Sequence, residues 1–224
     1  MAQSWVACSL AIGVLSATSV SRGDERALRP AAAKAELIAR RAATAGGFSA
    51  DERAMLLAGE TVSRPMTIER DGGRYVGGVS YQVVRASPDQ VLAALGSPRE
   101  LPSLLPRTKS AKLVGVDSRG ALIELCQGTA LVDATYSVRV RRARDGELRF
   151  RLDPTRPHGI HDVWGYLRAR PFGRHHSMVT VAVALDVGPG MFRALFEERI
   201  QRVILGTPRQ IRDYLEPRAL ARSD

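Results

Sequence analysis

The sequence predicts an α+β fold: a curved antiparallel sheet of about seven strands wrapped around one long C-terminal α-helix, with two short helices after the first strand. Three observations predict it. Between residues 191 and 216, Phe192, Leu195, Phe196, Arg199, Ile200, Val203, Ile204, Ile211, Tyr214 and Leu215 recur at three- and four-residue spacing, which marks a helix with one buried face. At ~1.5 Å per residue that helix would run roughly 38 Å, enough to cross a whole small domain. Residues 75–187 before it break into short runs rich in Val, Tyr and Leu, separated by Gly, Asp and Pro. Gly188-Pro189-Gly190 divides the two regions sharply.

Composition bounds the rest. With 224 residues and 45% apolar content, the chain can build one domain with a sizeable core plus an N-terminal extension. Its formal charge of +10, carried mostly by arginine, suits anionic surfaces, and an anionic membrane surface is a candidate partner. Aromatic residues make up only 5%, and no zinc finger or basic aromatic platform is present, so nucleic acid is not the expected partner. Cys8 and Cys126 lack metal-ligand spacing and read as free thiols.

Residues 1–21 carry an uncharged, apolar stretch from Trp5 to Val20 that turns polar at Arg22, the pattern of a signal peptide and hence of export to the periplasm or cell envelope. That segment contains no Lys or Arg, unlike the usual signal-peptide start. Residues 22–72 read as a helical extension: an Ala-rich stretch over 30–45, then a second helix with Ser49 as N-cap and Gly59 as its stop. Residues 73–217 hold the main domain, and 218–224 a short tail.

Within the domain, residues 75–86 read as the first strand, in which Gly77-Gly78 marks a bulge or a close backbone approach. Ser87 then caps a helix running to Leu95, with Pro88 in its first turn. Pro98, Pro102 and Pro106 break 97–107 into short turns. Six further strands are expected over 111–116, 121–127, 131–142, 147–152, 160–170 and 178–187. Pro208 inside the long helix predicts a kink near Gly206-Thr207, because proline removes a helical donor and crowds the preceding turn.

This order of elements resembles the START-like (SRPBCC, helix-grip) superfamily, which includes lipid-transfer domains, polyketide cyclases/dehydrases and coenzyme Q-binding proteins. The resemblance covers roughly 73–216 and rests on Tyr75-Val76-Gly77-Gly78-Val79, Ala86-Ser87-Pro88-Asp89-Gln90-Val91, Leu101-Pro102-Ser103-Leu104-Leu105-Pro106, Asp186-Val187-Gly188-Pro189-Gly190 and Arg212-Asp213-Tyr214-Leu215. Leu92 stands where such proteins usually carry a bulky aromatic in the first helix, and Ser97 where an acidic residue often follows it. The resemblance implies an apolar small molecule, such as a lipid, isoprenoid quinone or polyketide-like chain, held between sheet and helix without a cofactor. A cyclase/dehydratase is the alternative it allows, and binding without catalysis is the preferred reading.

No G-x-S-x-G, H-E-x-x-H, P-loop or Rossmann fingerprint occurs. Asp133, His161 and Asp162 are the acid–base candidates, with Tyr136 and Tyr166 as hydrogen-bond donors. Against that chemistry, Asp133 and Asp162 could each face solvent and pair with an arginine such as Arg139 or Arg168. His158, His161, His175 and His176 fall on alternating faces and turns and do not suggest a metal site. Tyr136, Trp164 and Tyr166 are expected as cavity walls, and Met191, Phe192, Phe196 and Ile200 as its roof. Arg139, Arg141, Arg142 and Arg144 form a basic stripe suited to phospholipid headgroups or simply to water.

Overall fold

Chain-local signals set the helices. The computed structural model describes residues 47–70, 73–129, 132–143 and 146–220, so the expected signal peptide and the 30–45 helix lie outside the described residues. Helix α1 (Ala50–Leu57) begins at Ser49, whose hydroxyl accepts the Glu52 N–H while the Glu52 carboxylate accepts the Ser49 N–H, a reciprocal capping box. Helix α2 (Pro88–Leu95) starts the same way with Ser87 and Gln90, with Pro88 in its first turn. Helix α3 (Leu101–Leu104) is one short turn.

Eight strands form one antiparallel sheet: β1 (Val62–Arg70), β2 (Gly73–Val84), β3 (Thr108–Asp117), β4 (Gly120–Gly128), β5 (Asp133–Arg142), β6 (Glu147–Leu152), β7 (Asp162–Phe172) and β8 (His176–Asp186). Their spatial order is β1-β2-β8-β7-β6-β5-β4-β3. After β2 the chain crosses through α2 and α3 to the far edge and then returns strand by strand, so β8 closes against β2. The expected count of seven is therefore one short, and the extension over 22–72 is not wholly helical, because β1 lies inside it. Val62, Arg64, Met66 and Ile68 do alternate in β1, but Pro65 disguises it. Proline is tolerated there because β1 is an edge strand bonded only to β2.

Gly77 and Gly78 sit in unbroken register with both neighbouring strands, so they are a close approach and not a bulge. Both have positive φ (150° and 137°). A side chain at Gly77 would strike the Val183 carbonyl oxygen, and one at Gly78 that of Arg64.

The C-terminal helix is two helices, α4 (Met191–Leu205) and α5 (Thr207–Leu220), joined at Gly206 where the kink was expected. Pro208 has no N–H to give the Ile204 carbonyl, and the Thr207 hydroxyl donates to that oxygen instead, at 2.6 Å. Helix α5 continues past Glu216, through Pro217, to Leu220. Helix α4 lies over β1 and β2, and α5 over β2 and β8. Val84, Val179, Val181, Ile211, Leu215 and the apolar side of α2 make up the core beneath α5.

Candidate functional site

The two faces of the sheet have different roles, and strand register assigns them. Val163, Gly165, Leu167 and Ala169 of β7 and Val179, Val181, Val183 and Leu185 of β8 share the concave face with α2 and α5. On that face, apart from the core beneath α5, lies a second apolar group of Leu101, Ile123, Leu125, Tyr136, Val138, Leu152, Ile160 and Val163. This group, called the basin below, has a buried floor and a partly exposed margin. Leu105, Ala134, Phe150, Val183 and Leu185 pack against its buried floor and stay partly exposed, although all point inward or border it. Gly165 leaves the space that the end of the Phe150 ring occupies.

One polar line enters this apolar surface. The Tyr136 hydroxyl donates to Gln127 Oε1, and Gln127 Nε2 donates to Thr108 Oγ1 at 2.7 Å and to the Pro106 carbonyl at 3.3 Å. Burial pushes the Tyr136 hydroxyl far above its ordinary pKa, so it remains a neutral donor and acceptor. After these bonds the Thr108 proton and a Tyr136 lone pair are left to a ligand. Tyr136 was singled out in the sequence as a cavity wall, and it lies on this face. Gln127 was not singled out, though its two-residue offset from Leu125 puts it on the same face.

The other expected wall residues lie elsewhere. Trp164 and Tyr166 face the opposite, convex side, with Tyr75, Val79, Ala182 and Ala184. Because both faces of β7 are apolar, alternation alone could not tell which one meets the helix. Burial raises the Tyr166 pKa to about 12, and the Arg168 guanidinium stands 5.0 Å over its ring. The side chains of Met191 and Phe192 lie outside the described residues. Phe196 is 37% exposed and Ile200 half-buried. Glu197 and Gln201 take the sheet-facing positions of α4, bonding Arg74 and the Met66 and Gly77 carbonyls, and this turns Phe196 and Ile200 aside.

The acid–base candidates do not converge on the basin. Asp133 is exposed and paired with Lys109 at 2.6 Å. Asp162 accepts from the Tyr75 hydroxyl at 2.9 Å on the convex side, and the exposed His161 packs its ring against Gly188. Neither carboxylate takes the arginine partner expected of it. Arg139 instead joins Asp117 and Asp153, and Arg168 joins Glu147. His158 Nδ1 contacts its own loop at the Ile160 carbonyl, 2.6 Å away. Two surface grooves, of about 550 and 520 Å³, share no lining residue with the basin. One lies between β1 and α4, the other between α1 and the ends of β7 and β8.

Against solved structures this architecture has clear counterparts. A STAR-related lipid transfer protein from Xanthomonas axonopodis superposes with TM-score 0.54 at 16% identity, covering 68% of this chain and 98% of that one. This is the START-like, helix-grip fold. The Zhui aromatase/cyclase from Streptomyces sp. R1128 shares the fold at TM-score 0.52 and 12% identity, over 74% of this chain and 97% of its own. A START superfamily protein from Mycobacterium smegmatis does so at TM-score 0.50 and 13% identity, over 64% and 96%. No family model and no curated protein matches the sequence. At such identities the START-like fold is what these proteins have in common with this chain.

Proposed function

We propose that the protein binds and carries an apolar small molecule with one hydrogen-bonding group, of the lipid, isoprenoid quinone or polyketide-like kind, in the basin on the concave face. The observation that carries this reading is the partial exposure of inward-facing Ala134, Phe150, Val183 and Leu185 beside a buried floor, with one polar line at Tyr136, Gln127 and Thr108. Apolar side chains that point inward and are only partly covered are what a ligand of that chemistry would cover. The named functions of two fold neighbours, lipid transfer and aromatase/cyclase, agree with an apolar occupant. Carriage is favoured over catalysis because Asp133, His161 and Asp162 all lie off the basin.

The test is native mass spectrometry with organic extraction, on protein purified from a host that makes quinones and phospholipids. A stoichiometric apolar adduct is expected, and Ala134→Phe, which fills the basin, should lose it while still folding. An empty wild-type protein whose melting temperature does not move when lipid or quinone is added would overturn the reading.

A further inference from the structure

The convex face of β5 and β6 carries a two-by-two block of arginines. Arg139 lies directly opposite Arg151, and Arg141 directly opposite Arg149. Like charges facing each other across an antiparallel pair repel, and here two such pairs stand side by side. Internal carboxylates relieve only half of the block. Arg139 is tied to Asp117 and Asp153 and is 15% exposed, and Arg149 reaches Glu147 while remaining 45% exposed. Arg141 and Arg151 are exposed and have no carboxylate partner among the described residues. The stripe expected from sequence was differently composed: Arg142 lies 3.7 Å from Asp89 of α2, and Arg144 is outside the described residues.

We propose that this face docks on an anionic phospholipid surface, with Arg141, Arg149 and Arg151 contacting lipid phosphates. Guanidinium groups bind phosphate oxygens in a bidentate fashion, and a layer of phosphates would offset the repulsion that the free protein tolerates. The two aromatics in the same cross-strand rows, Trp164 and Tyr166, are 7% and 4% exposed, so no platform is available for stacking nucleic-acid bases. None of the exposed large apolar side chains belongs to β5 or β6, so docking here is electrostatic and does not depend on insertion. The proposal is independent of what the basin holds.

The experiment is co-sedimentation of the full chain with vesicles of phosphatidylcholine alone or mixed with phosphatidylglycerol. Three proteins are compared: wild type, Arg141→Glu/Arg151→Glu, and Arg202→Glu/Arg209→Glu, which makes the same charge change on α4 and α5. Wild type should bind only the mixed vesicles and release in high salt. The β5/β6 variant should bind at least roughly thirtyfold more weakly, and the helix variant should bind like wild type. The β5/β6 variant should melt no lower than wild type, because each glutamate now faces an arginine, and this separates lost docking from lost folding. The proposal is overturned if wild type does not prefer the mixed vesicles, if both variants weaken alike, or if only an immobilised acidic polypeptide retains the protein.

Discussion

Asp153 illustrates how one residue can couple the sheet to pH. Thr155 donates to its Oδ1 at 2.6 Å and Arg139 to its Oδ2 at 2.8 Å; these bonds outweigh burial and hold its carboxyl down to about 2 from 3.8. A carboxyl depressed on folding stabilises the protein above its unfolded pKa, and that stability is lost as pH falls through the folded value. The contribution is about 2 kcal/mol, present in full above about pH 5 and gone below about pH 2. Urea unfolding followed across that range should show wild type losing about 2 kcal/mol more than Asp153→Asn; parallel curves would refute the assignment. A second test concerns the basin. Tyr136→Phe leaves the partly buried Gln127 Oε1 without its donor and should cost about 1 kcal/mol. It should also weaken any ligand held through the polar line, whereas Tyr166→Phe, on the other face, should leave ligand binding unchanged.

Individual elements were legible where their signals are local. Ser49–Glu52 and Ser87–Gln90 are capping boxes that span four residues, and both helices begin where those residues stand. Edge strand β1 was hidden because Pro65 breaks a sequence pattern without breaking an edge ladder, a tolerance that depends on its position in the finished sheet. The α4–α5 junction combines both kinds of information: Pro208 announces the break, and only the structure shows that Thr207 repairs it. This predicts a non-additive pair. Thr207→Val strands the Ile204 carbonyl and should destabilise by about 1–2 kcal/mol. In a Pro208→Ala background the restored N–H can reach that oxygen, and the same substitution should cost less than half as much. Thermal denaturation of the four proteins would measure the coupling, and additive costs would mean the hydroxyl is not serving the junction.

For the whole molecule, fold class followed from the order of elements, whereas the site depended on which side of the sheet faces inward. In β8, Val179, Val181 and Val183 alternate with Thr180, Ala182 and Ala184, and both sets are largely buried, so hydrophobicity could not orient the strand. That ambiguity put Trp164 and Tyr166 on the wrong side, and with them the expected walls. Charge, by contrast, is legible from composition and acts on the entire chain. At +10 the compact state carries net self-repulsion, concentrated at opposed arginines such as Arg141 and Arg149. Added sodium chloride screens that repulsion but also weakens ion pairs, and the balance is set by where the pairs lie. Exposed pairs such as Lys109–Asp133 contribute little, and those built on the buried Glu147 and Asp153 are poorly screened. Repulsion should therefore dominate. Between low and physiological ionic strength the melting temperature should rise by about 2–4 °C, the equivalent of roughly 1 kcal/mol in a chain of this size. Arg141→Glu/Arg151→Glu, which removes two of the opposed charges, should show a flatter rise. A melting temperature that falls with salt in wild type would mean that the ion pairs outweigh the arginine surplus.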